Sequence, residues 1–341
     1  MTSSTLVAIA ALTLAAGVSM YAVFAGADFG GGVWDLVAGG PRKEEQRSAI
    51  RRAMGPVWEA NHIWVIFLIV VLFTAFPKGF MALSIGLFVP LSLVVLGVVL
   101  RGAAFVFRAH DEGAPREQRL FEVVFSIASL VTPFALGAAA AMVADGALTQ
   151  GADGEWHAVA WSAFLSPFPI AIGLLAVCIC AYTAATFLMA QTSGPLCEDF
   201  RRRALVAGGA FAALSVIGLV LADREAPTLA HELLHGRGLP FVIAAAVLAV
   251  LGLAVTLRGG HTRARYVSVA FVLAVVWGWG AAQWPYIVTP TLTFQEAASS
   301  DAMLEVYLVC LAAGAVLLVP SLLYLWRTFG GQLPASESHE P

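Results

Sequence analysis

Charge is what this sequence has least of. Only 12% of its 341 residues are Asp, Glu, Lys or Arg, against about 25% in an ordinary soluble domain. That deficit, with 60% hydrophobic residues gathered into repeated apolar runs, excludes a soluble globular fold, because runs of about twenty residues are what crosses a bilayer as a helix. The runs are continuous rather than alternating, which excludes a membrane β-barrel. A formal net charge of −3 and the lack of a basic low-complexity tail leave nothing for a nucleic acid to bind. Cysteine is scarce as well. Cys178 and Cys180 stand two apart in one apolar run, where a helix turns their side chains away from each other, and Cys197 and Cys310 are isolated. All four read as packing residues. The opening Met1-Thr2-Ser3-Ser4 has no positive n-region, so the first apolar segment is expected to be retained rather than cleaved.

What the chain does have is helix-length apolar sequence, in runs at 5–36, 58–76, 80–100, 121–144, 161–190, 204–222, 240–257, 266–286 and 303–326. This predicts an all-α polytopic membrane protein of about nine transmembrane helices packed as bundles. One integral-membrane domain covers 1–330, and 331–341 form a short polar tail. Sixteen of the 19 Lys and Arg residues fall in the same set of alternate loops, leaving Lys78, Arg224 and Arg237 on the other side. The positive-inside rule then predicts an amino terminus outside and a carboxyl terminus in the cytoplasm.

With that orientation the polar residues acquire a depth. The second run opens with Trp58-Glu59-Ala60-Asn61-His62-Ile63-Trp64, an acid, an amide and an imidazole at the start of a span. An ionisable group inside a membrane costs roughly 2.5–3.5 kcal/mol on insertion scales, so such groups face other helices and mark function. Glu59 and His62 are three apart and share a helix face. Asp28 lies near the cytoplasmic end of the first run beside Gly26, Gly30, Gly31 and Gly32, small residues that let helices approach closely. Arg101 and Glu122 close the third run and open the fourth at the same level, and Asp35 shares a face with Asp28, seven residues on. For Asp35, Arg101 and Glu122 an ordinary interfacial position in contact with water is the better expectation.

Two motifs point elsewhere. His231-Glu232-Leu233-Leu234-His235 matches the zinc-protease pattern of two imidazoles one turn apart with a glutamate between. The longer form of that motif has a third histidine where this chain has Phe241, so a short amphipathic loop helix is the better expectation. A haem-binding bundle would need His or Met pairs within the spans. Of the seven histidines only His62 is interior to a run. Trp156, Trp161, Trp284, Tyr286, Tyr324 and Trp326 lie near run ends, as an interfacial aromatic belt does.

Several stretches together resemble subunit II of the cytochrome bd family of quinol oxidases. They are Gly26-Ala27-Asp28-Phe29-Gly30, Pro56-Val57-Trp58-Glu59-Ala60-Asn61-His62-Ile63-Trp64, Phe73-Thr74-Ala75-Phe76-Pro77, Arg101-Gly102 with Phe105, Ala185-Thr186-Phe187-Leu188, and the block from Trp284-Pro285 to Trp326. The likeness covers nearly the whole chain. It implies a partner, subunit I, that carries two b haems, one d haem and the quinol site, and a subunit II that supplies no haem ligand and binds no metal. Small single-helix accessory subunits are a further expectation. It also implies that the acid at position 59 lines a proton path from the cytoplasm, with Asp28, His62 and Arg101 beside it and Trp58, Asn61, Trp64 and Gly30 as supporting motif residues. The family's D-G-F-D is Ala25-Gly26-Ala27-Asp28 here, one acid fewer. No quinone is assigned to this chain. The competing class is a stand-alone proton-coupled transporter, which uses the same buried acids and glycine-loosened helices.

Overall fold

A computed structural model describes residues 2–110 and 115–329, without the side chains of 54–60, 108–110, 115–118, 319, 322 and 325–329. Helix α1 (Ser3–Leu36) is the hub, its start capped by the Thr2 side chain accepting from the Thr5 backbone N–H. It lies against α2 (Lys43–Ala75), α5 (Pro115–Ala144), α7 (Pro167–Gln191) and α11 (His261–Gln283). Its glycines explain why. A methyl group on Gly30 would run into the backbone carbonyl of Cys180 on α7, and one on Gly32 into the Ser129 side chain of α5. Side-chain-free positions therefore set the distance between α1 and two neighbours at once.

The remaining elements are α3 (Pro77–Gly86), α4 (Phe88–His110), α6 (Trp161–Phe164), α8 (Gly194–Glu225), α9 (Pro227–Leu234), α10 (Leu239–Leu257), α12 (Phe294–Ala297) and α13 (Asp301–Phe329). A two-stranded antiparallel hairpin, β1 (Tyr286–Val288) with β2 (Leu292–Thr293), pairs Tyr286 with Thr293 and Val288 with Leu292. Proline begins α3 and α9, where the missing N–H is not needed, and the residue before each is held out of the helical region. Among the described residues eight helices are long and apolar enough to span a membrane, or nine if α2 and α3, bent by 120° at Phe76, count as one span.

Three boundaries differ from expectation. Helix α2 begins at Lys43, fifteen residues before the apolar run, because Lys, Glu, Gln, Arg and Ala continue a helix as readily in water as Leu does in lipid. Helix α4 likewise runs on to His110, so Arg101 is interior to a helix instead of closing one. Residues 80–86, assigned above to the third span, belong to the short helix α3 beyond the bend. The β-hairpin was not foreseen; with α12 and its Thr293–Glu296 capping box it plugs the end of the bundle opposite the arginine-rich loops.

Candidate functional site

Asp28 carries no solvent exposure and Arg101 only 2%. The Arg101 guanidinium donates through Nη1 to Asp28 Oδ2 at 2.5 Å and through Nη2 to Oδ1 at 2.6 Å, a two-pronged ion pair between α4 and α1. Nη2 also reaches the Asp28 backbone carbonyl at 3.0 Å, and Nε donates to the Ser129 hydroxyl of α5 at 2.8 Å. The flat cation lies over the rings of Phe125 and Phe29, 4.6 and 5.1 Å from their centroids. Asn61 of α2 completes the group by donating Nδ2 to Asp28 Oδ2 at 3.2 Å. Four helices thus meet at one ion pair. A bidentate pair with its remaining donors occupied is the arrangement in which a buried charge is tolerable.

The sequence-selected residues divide accordingly. Asp28, Arg101 and Asn61 come together in hydrogen bonds, and His62 joins them by lining the same small cavity with Tyr21, Phe29, Val65 and Val98. The interfacial alternative for Arg101 is overturned, since Phe29, Phe125 and Ser129 enclose it. Gly30 sits two residues from Asp28 and provides the close approach of α1 to α7. Trp64 packs edge-on against Phe67, with centroids 5.9 Å apart, beside the Tyr21–Phe29 cluster. The side chains of Glu59 and Trp58 lie outside the described residues.

A second polar group stands nearer the arginine-rich end. Arg47 of α2 donates to Glu122 of α5 at 2.8 Å and stands 3.9 Å from Asp35, which is 1% exposed. Glu122 and Asp35 therefore belong to this rim and not to the Asp28 pair. Close by, Arg42 grips Asp199 of α8 at 2.6 and 2.8 Å, while Gln46 bridges Asp199 and Arg203. Sequence reasoning missed Ser129, Tyr21 and Arg47. Only their placement beside a buried charge distinguishes them from other hydroxyls and loop arginines.

The opposite end carries the zinc-like motif. His231 and His235 lie on and just after the surface helix α9 with ring centroids 5.4 Å apart, and Glu232 Oε2 accepts from the Arg237 backbone N–H at 3.1 Å, closing the following turn. Among the described residues no three His, Cys, Asp or Glu side chains converge on a point. Two imidazoles one helical turn apart on the same face cannot approach a haem iron from opposite sides, so this pair does not fit axial ligation. At the same end, burial together with the nearby Glu225 carboxylate pushes Asp145 up to about 6.

The chain matches the family description "Cytochrome bd terminal oxidase subunit II" over residues 6–329. It is 24% identical to a cytochrome bd menaquinol oxidase subunit II of Bacillus subtilis over 328 residues, covering 92% of each sequence. It is 29% identical over 197 residues to cytochrome bd ubiquinol oxidase subunit 2 of the same organism, covering 56% of this chain and 57% of that one. A subunit of the bd oxidase of Geobacillus thermodenitrificans superposes with a TM-score of 0.79 at 22% identity, over 95% of this chain and 98% of the other. The transporter alternative has no counterpart in these likenesses. With the family match running nearly end to end and the fold agreeing over the same span, the chain belongs to the cytochrome bd terminal oxidase subunit II family and is a membrane-spanning member of an oxidase complex whose partner is subunit I.

Proposed function

We propose that this chain is the haem-free subunit of a bd-type quinol:oxygen oxidoreductase, that it supports the haem-bearing subunit I, and that it conducts part of the proton uptake from the cytoplasm. The observation that carries this reading is the carboxylate of Asp28 held by Arg101 and Asn61 with no exposure to bulk solvent. A merely structural bundle gains little from such a pair, since apolar residues of similar volume pack at least as well. A fixed charge of this kind instead sets the local potential for protons passing nearby. Asn61 and His62 sit two and three residues after Glu59 on α2, so Glu59 belongs to the same helical turn region, where it is the relay we assign. In this reading Asp28 and Arg101 hold the electrostatics and His62 borders the route.

The absence of haem ligands from this chain is supported by its histidines. In the sequence His157, His231, His235 and His261 stand in loops or at helix ends, and of the seven histidines only His62 is interior to an apolar run. The b and d haems are accordingly assigned to subunit I, and oxygen is reduced to water there. Quinol oxidation is assigned to subunit I as well. The arginine-rich end is assigned to the cytoplasm.

The test is Glu59→Gln in the assembled complex. Turnover should fall by about tenfold or more, the scale on which losing one proton-transfer group is felt, with haem content unchanged. Wild-type turnover in an intact Glu59→Gln complex would remove this residue from the route.

A further inference from the structure

The amide of Asn61 is 3% exposed, and while its Nδ2 is committed to Asp28, its Oδ1 has no hydrogen-bond partner. A buried acceptor left in that state costs about 1–3 kcal/mol, which native structures avoid by admitting water. Space for one lies alongside. The cavity bordered by Asn61 has a volume of about 10 Å³, the size that accommodates a single water. Its other polar borders are Tyr21, His62 and Arg101, and Phe29 and Val98 close its sides. Tyr21 stands seven residues before Asp28 on α1, on the same helix face and about 10 Å further from the arginine-rich end.

We propose that this cavity is a water site, that Asn61 Oδ1 positions the water by accepting one of its protons, and that the Tyr21 hydroxyl is the next step of the proton route beyond the Arg101–Asp28 pair. The inference rests on the proton-uptake reading above and adds two residues to it. A proton delivered from the His62 side joins the water oxygen. The water releases one of its other protons to the Tyr21 oxygen, whose own hydroxyl proton leaves towards the oxygen-reducing partner. Each group ends with as many protons as it began, and no ionised tyrosine is required, because a hydroxyl donates and accepts together. The Asp28–Arg101 ion pair sets the electrostatics beside this water. The charged and titratable groups lining the cavity are Tyr21 from α1, His62 from α2 and Arg101 from α4, the last paired with Asp28.

The experiment uses the complete oxidase with Tyr21→Phe, which deletes only the oxygen, alongside Asn61→Leu and Glu59→Gln. Expected for Tyr21→Phe is a severalfold lower turnover and a larger solvent deuterium isotope effect, at unchanged haem content and unchanged thermal midpoint. Asn61→Leu is expected to act the same way, and if it does not assemble, Tyr21→Phe decides alone. An experimental structure of the complex should show one water within hydrogen-bond distance of Asn61 Oδ1. Wild-type turnover and isotope effect in Tyr21→Phe, with Glu59→Gln slowed, overturn this inference and leave the uptake reading standing. Wild-type behaviour in both variants removes the uptake reading as well.

Discussion

At the scale of single residues, the Arg101–Asp28 pair is the largest electrostatic commitment in the described part of the molecule. Its stability contribution is asymmetric. Keeping both partners is close to neutral against an apolar replacement, whereas removing one leaves a charge stranded among Phe29, Phe125 and Ser129. Asp28→Asn is therefore expected to destabilise by about 3–5 kcal/mol, the range found when a buried pair is broken. The loss would be read as a fall in the yield and thermal midpoint of the assembled complex. Combining Asp28→Leu with Arg101→Met should recover most of the assembly without recovering activity. A single variant as stable as wild type would mean that water reaches the site freely. Asp28, Arg101, Asn61 and His62 were all visible in the sequence, because polarity within an apolar run is itself the signal. Ser129 and Tyr21 were not, since hydroxyls are common in membrane helices and satisfy themselves on the preceding turn, as Ser129 does on the Phe125 carbonyl.

At the scale of elements, α1 decides the geometry because it packs against α2, α5, α7 and α11 at once. The Trp34 indole N–H donates to the Ala181 carbonyl of α7 at 2.7 Å, and Gly30 presses against the same helix one turn away at Cys180. A side chain at 30 would push α1 and α7 apart and misalign Asp28 with Arg101. Gly30→Ala is expected to destabilise by about 1–3 kcal/mol, as overpacking does, and to lower turnover with it. Gly209→Ala on α8, where an added methyl meets nothing within 4 Å, is the matched control and should leave the thermal midpoint unchanged or slightly raised. Equal effects of the two substitutions would show that α1 and α7 are not held at contact. The bend between α2 and α3 belongs to this scale too. Phe76-Pro77 foretells a helix stop but not the 120° turn, which follows from α3 packing its Gly79 against Ile287 of the hairpin.

At the scale of the whole molecule, the two ends differ in chemistry. Arg42, Arg47, Arg201 and Arg203 gather in ion pairs and bridges at one end, while the hairpin, α9 and α12 close the other. The proposed orientation predicts that a fluorescent protein fused after residue 329 is bright and that alkaline phosphatase fused there is inactive. The reverse pattern would place the arginine-rich end, and with it the start of the proton route, on the other side of the membrane.

The amino-acid sequence alone determined that this is a helical membrane protein, roughly where its spans lie, and which polar residues stand inside them, because hydrophobicity over twenty residues is a local property that no later packing reverses. Tertiary structure decided who meets whom. It separated Glu122, which Arg47 holds near Asp35, from Asp28, which Arg101 and Asn61 hold, although the sequence sets Asp28, Arg101 and Glu122 at one level. Depth follows from counting along a helix, but partnership depends on rotation about its axis and on how closely glycine lets two helices come.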